Sequence, residues 1–105
     1  MAYKWPDKDK DETIDYSVDW SRFLGSDTIA SVTWYIDNAS DAKTQVADAD
    51  TVNGLQFVTG TNTNTVATIR LSLGNNNLRY KITCGITTAS SLTYERSIFL
   101  RIREK

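Results

Sequence analysis

Asp7-x-Asp9-x-Asp11 has the spacing that opens an EF-hand calcium loop, where alternate carboxylates converge on one cation. The pattern then fails: the sixth position is Glu12 where a glycine is needed, and the twelfth is Val18 where the bidentate Glu belongs. The segment reads instead as a solvated arm in which Lys and Asp neutralise each other. Asp48-x-Asp50 is a second carboxylate pair, placed on a loop, whose only chemistry would be weak calcium binding. Asp15 and Asp19 lie on the outward side of a strand, and two carboxylates roughly 5–9.5 Å apart can hydrolyse glycosides. No aromatic cleft adjoins them, so they read as a charged strand face that protects a sheet edge. Cys84 falls in phase with Ile82 and Ile86, the setting of a small buried hydrophobe rather than a nucleophile. The chain has no histidine, which removes the commonest general base, the Ser-His-Asp and Cys-His pairs and the usual zinc sites. Gly74-Asn75-Asn76-Asn77 lacks the Lys-Ser/Thr of a phosphate loop. Arg96, Arg101, Arg103 and Lys105 form a basic end that could meet phosphate, but no aromatics are interleaved for base stacking. These tests leave no catalytic residue, no metal site and no cofactor, and they point away from nucleic acid and from a small-molecule substrate.

The elements that carry these residues follow from period-two patterning. Ile14, Tyr16, Val18 and Trp20 alternate with Asp15, Ser17 and Asp19, the signature of a strand with one buried face. Ser21–Leu24 breaks the alternation as a single helical turn closed by Gly25. Ala30, Val32, Trp34 and Ile36 share the next buried face; Ile29 is out of phase and predicts a bulge or an end effect. Residues 37–53 are a polar connection with a short edge strand near 44–47. Asn53-Gly54 is a tight turn, 55–58 a short strand and 60–64 a second turn region. Residues 65–73 place Ala67, Ile69, Leu71 and Leu73 inward; 78–88 do the same for Leu78, Tyr80, Ile82, Cys84 and Ile86; 92–103 for Ile98, Leu100 and Ile102. No stretch carries a helical period. The expected fold is therefore all-β, an antiparallel immunoglobulin-like sandwich of six to seven strands, with an extended N-terminal arm at 1–12 and the sandwich at 13–105.

Length and charge set further bounds. A chain of 105 residues supports one core. A lone cysteine and a start without an apolar stretch fit a protein that folds in a reducing cytoplasm, with no membrane span. Net charge is −1, but residues 1–50 carry −6 and residues 51–105 carry +5. Opposite halves of this kind either face each other within one fold or dock copies and partners head to tail. Tyr3, Trp5 and Phe99 are large apolar groups that an isolated domain need not bury, and Tyr and Trp are anchor residues at interfaces. Together with Asp15, Asp19, Arg101 and Arg103 they are the candidate partner-binding residues. An aromatic arm suits strand addition or exchange with a neighbour; the alternative is that Trp5 folds back over its own sandwich.

These residues also carry a family resemblance. Lys8, Asp9, Asp11 and Glu12, then Asp15, Tyr16, Asp19 and Trp20, then Leu24, Asp27, Thr28 and Ile29, followed by a strand holding Trp34, resemble the opening of small tailed-bacteriophage virion proteins of the fibre-tail adaptor type. The closing stretch from Tyr80 to Lys105, a Thr-rich hairpin ending in an Arg-rich strand, is similar to theirs as well. Lys10 stands where the family usually has proline, and residues 37–64 follow no family pattern. The resemblance implies a non-enzymatic virion component with an immunoglobulin-like fold. It would assemble in the host cytoplasm, be present in multiple symmetric copies or as a homo-oligomer, and bind tail, fibre or capsid subunits. The alternatives are a capsid decoration protein and a small carbohydrate-binding sandwich.

Overall fold

Alternating apolar and polar residues become strands throughout the chain. The computed structural model describes residues 3–37, 44–52, 54–75 and 77–103. In order they form β1 (Tyr3–Lys4), β2 (Ile14–Asp19), α1 (Ser21–Leu24), β3 (Ile29–Asp37), β4 (Thr44–Gln45), β5 (Thr51–Val52), β6 (Leu55–Asn62), β7 (Val66–Leu73), β8 (Arg79–Thr88) and β9 (Thr93–Arg101). One sheet has the order β1-β9-β8-β3-β4 and the other β2-β7-β6-β5. The long strands β2, β7 and β6 occupy the places of B, E and D in an immunoglobulin-type sandwich, and β3, β8 and β9 those of C, F and G. The expected six to seven strands are thus the six long ones, extended by two-residue strands at the sheet edges.

The core lies between the sheets. Ile36, Leu55, Ile69, Leu71, Tyr80, Ile82 and Leu100 are wholly buried, and Trp20 and Trp34 nearly so. Trp34 on β3 stands opposite Cys84 on β8 in the register. Those are the strand positions where antibody domains place a buried tryptophan and one half of a disulfide. Here β2 offers Tyr16 and Val18, followed by Trp20 at the start of α1, instead of a second cysteine, so Cys84 is free. Tyr80, near the start of β8, accepts a hydrogen bond at its hydroxyl from the Asn75 backbone N–H, 3.1 Å away. The contact is similar to the tyrosine corner of such sandwiches, although Tyr80 stands four residues before Cys84 rather than two.

The structure alters several details of the sequence reading. A register shift between Ile29 and Ser31 rotates the start of β3, so Ile29 is buried and Ala30 exposed. The strand expected to stop at Val58 runs on to Asn62, because a bulge after Phe57 lets it stay paired with β7 through Gly60 and Thr61. Leu73, expected inward, is 50% exposed: its φ of 62° turns the chain out of the sheet, and Ile102 fills the space beside Gly74. The turn at Asn53 lies outside the described residues, although Val52 pairs with Leu55 across it.

The N-terminal segment is built into the sheet edge. Tyr3 and Lys4 run parallel to Ile98 and Phe99, the Trp5 N–H donates to the Phe99 carbonyl, and Lys8 bridges to Ile102. Lys8 is not solvated as the sequence suggested; it is fully buried, and its Nζ donates to the carbonyls of Leu73 (2.7 Å) and Asp9 (2.8 Å). Desolvation lowers its pKa, opposed by the nearby Glu12, Asp9 and Asp11. Asp9 and Glu12, rather than surrounding a cation, fold one turn: the Asp9 N–H donates to Glu12 and the Asp11 N–H to the Asp9 carboxylate.

Two stability measurements check this arrangement. Trp34→Ala is expected to cost about 3–5 kcal/mol, read from urea denaturation. Removing residues 1–12 takes away the outer strand, the Trp5–Tyr16 stack and the Lys8 contacts. A loss near 2 kcal/mol would lower Tm by roughly 8–16 °C, and an unchanged Tm in calorimetry would show that these contacts add nothing.

Candidate functional site

Strand pairing decides which charged side chains meet. On β8 and β9 the outward residues fall into register as Arg79 opposite Arg101 and Lys81 opposite Phe99. The guanidinium carbon of Arg79 sits 5.0 Å above the Phe99 ring, within cation–π range. The result is a basic strip around one aromatic ring, on the outer face of the five-stranded sheet. Like charges directly opposite each other repel, so the Arg79–Arg101 pair is a position that an acidic partner surface would stabilise. Phe99 and Arg101 were legible as candidates; Arg79 and Lys81 were not. Their signal was the turn between the two strands, which sets the register that brings them beside Phe99.

The remaining candidates fall elsewhere. Asp15 and Asp19 lie on β2, in the other sheet. Arg70 on β7 grips Asp15 at 2.7 Å, and that hydrogen bond is the largest cause of a lowered carboxyl pKa. Asp19 accepts the Ser21 backbone N–H at the start of α1, which likewise holds its pKa down. Both acids are therefore engaged within the fold. Trp5 is half-buried and stacks on Tyr16 with ring centroids 4.7 Å apart. Tyr16 in turn donates its hydroxyl hydrogen to the Pro6 carbonyl. Arg103 is exposed, with Asp7 3.7 Å away, and Tyr3 takes part through its backbone on β1. The seven residues do not converge on one site.

A cavity of about 550 Å³ opens between β3 and β6. Trp34 forms part of its wall, and the indole N–H has no hydrogen-bond partner among the described residues. A buried donor left unmade costs about 1–3 kcal/mol, so the position is either strained or completed from outside. Among the described residues no group of three His, Cys, Asp or Glu side chains is placed to hold a metal ion. Cys84 is buried, and burial pushes its thiol up to about 12, with Trp20 and Arg96 opposing the shift. A thiolate nucleophile needs the opposite environment.

The chain belongs to the family of the podophage GP4 fiber-tail adaptor protein gp77, whose sequence model matches residues 8–101. It is therefore a bacteriophage tail adaptor by family, a structural component of the virion. No curated protein matches the chain at a significant level.

The buried thiol yields a pH measurement. Cys84 ordinarily ionises near 9.0 and Tyr16 near 10.0, and burial raises both to about 12. The folded chain keeps these protons longer than the unfolded chain. The stability they contribute is complete below pH 9 and is lost as pH rises toward 12. Cys84→Val removes the earlier of the two onsets. The difference in urea midpoint between the wild type and Cys84→Val is expected to be flat below pH 9 and to move against the wild type above it. Lys8, shifted in the opposite direction, is common to both chains and drops out.

Proposed function

We propose that this chain is a non-catalytic joint of the phage particle that ties tail to fibre, is present in several symmetric copies, and assembles in the host cytoplasm. Membership of the adaptor family along residues 8–101 carries this reading. The surface chemistry supports it. Arg79, Lys81 and Arg101 surround Phe99 on the outer face of the sheet, an arrangement suited to an acidic, partly apolar patch on a neighbouring subunit. Asp15 and Asp19, on the other sheet, are held by Arg70 and by the start of α1. Tyr3 and Trp5 lie along the β9 edge next to it, so the N-terminal segment borders the same face.

Lysine cross-linking on purified virions tests the reading, because Lys81 sits within the strip. Links from Lys81 to tail or fibre subunits are expected. Links to the major capsid protein would make the chain a decoration protein, and its absence from particles would remove it from the virion. Exchanging Lys81 and Arg101 for Glu should leave the fold intact by circular dichroism and reduce incorporation into particles at least tenfold.

A further inference from the structure

We propose that the cleft between β3 and β6 is the seat for an extended, basic, strand-forming segment of another polypeptide. This rests on the adaptor reading and identifies where a partner would insert. Both walls of the cleft are strand edges whose pairing stops short. On β3, the contact with β4 covers only Tyr35 and Ile36, continued by the Val46 N–H donating to the Trp34 carbonyl. Among the described residues, β3 from Ser31 to Thr33 pairs with β8 alone. On β6, the neighbour reaches as far as Phe57, which exchanges hydrogen bonds with Asp50 and Ala49. Among the described residues, β6 from Thr59 to Asn62 pairs with β7 alone. The two open stretches belong to different sheets and line the same cavity of about 550 Å³.

The backbone geometry specifies a peptide. The Trp34 carbonyl points toward the β4 side of β3, and backbone groups repeat their direction every second residue. Val32 therefore presents its N–H and carbonyl to the open side, where no described residue pairs with it. Sheet edges that must stay unpaired are usually guarded by lysine, proline or a covering segment. Ser31–Thr33 and Thr59–Asn62 contain neither lysine nor proline. An incoming strand would find ladder groups along one wall, as in recognition by strand addition.

The floor is equally specific. Trp34 is 3% exposed, so it offers a ligand no ring face on which a sugar could stack. What it offers is the indole N–H, which lacks an acceptor among the described residues, and a strand carbonyl supplies one. Gly60 packs closely over this buried nitrogen, where a Cβ would lie 2.8 Å from the Trp34 Nε1, so only a side chain as small as hydrogen fits between the indole and the cleft. The charge of the occupant follows from Asp48, the charged side chain among the described residues that line the cavity. A lysine or arginine of the inserted segment would sit over it.

Nuclear magnetic resonance on the full chain tests this in two stages. In the free protein the Val32 amide should exchange with solvent at least tenfold faster than the Ile36 amide; equal protection would show the edge already covered and overturn the proposal. The probe is then a set of overlapping 15-residue synthetic peptides spanning the tail and fibre subunits of the source phage. At least one basic peptide should shift the Trp34 indole N–H signal, slow Val32 exchange, and bind at least tenfold more weakly to Asp48→Lys. Peptides that bind without moving Trp34 or Val32 would overturn the proposal, as would host oligosaccharides that move Trp34 when no peptide does. If no peptide binds while virion cross-links still join the chain to tail or fibre, the cleft inference fails and the adaptor reading stands. If both are negative, the adaptor reading fails with it.

Discussion

The two sheets of this sandwich are joined across the core by side-chain contact, with no disulfide. In antibody domains a disulfide crosses at this level and contributes about 2–4 kcal/mol. Here Cys84 has no partner, and the space between the sheets is filled by Trp20 from one side and Trp34 from the other. Large aromatic side chains bury on the order of 150–250 Å² each, roughly 4–6 kcal/mol at about 25 cal/mol per Å² before entropy is counted. That substitution makes the shape of the two indoles the constraint to which their neighbours conform: Gly60 has no side chain because Trp34 occupies the position, and Arg96 lies over the Trp20 ring at 4.5 Å.

Lys8 is the second fixed point. Its amine reaches the Leu73 carbonyl at the end of β7 in one sheet, while its backbone exchanges hydrogen bonds with Arg101 and Arg103 beside the other. One residue thereby ties the N-terminal segment to both layers. The arrangement leaves β9 flanked on both sides and places the open backbone at the opposite end of the molecule, along β3 and β6. The two ends of the sandwich therefore differ: one carries the docked N-terminal segment and the other the short strands β4 and β5.

Much of this was legible in the sequence because one face of each strand is buried. Period two located β2, β7, β8 and β9 and most of their inward residues, and the helical turn closed by Gly25 was readable from the break after Trp20. The errors came where the backbone leaves the regular pleat. The shift at Ile29, the bulge after Phe57 and the positive φ of Leu73 each change which face a side chain takes, and none has a composition signal strong enough to find it. Lys8 escaped for a different reason. A lysine between two aspartates has the pattern of a solvated charge, and only the long-range placement of the Leu73 carbonyl gives it a reason to be buried. The family resemblance carried what patterning could not, since no residue in the chain has a chemical signature of its own.

The pairing of residue 3 with residue 98 orders events during synthesis. The strand that receives the N-terminal segment lies 95 residues further along (98 minus 3), so this edge cannot close until β9 has been made. Until then, the β9 side of β8 and the inner face of β2 lack their final neighbours. The Trp5 backbone N–H and the Lys8 amine are made long before the carbonyls they bind, those of Phe99 and Leu73. The N-terminal segment can thus dock only on an edge that the β8–β9 hairpin has already built.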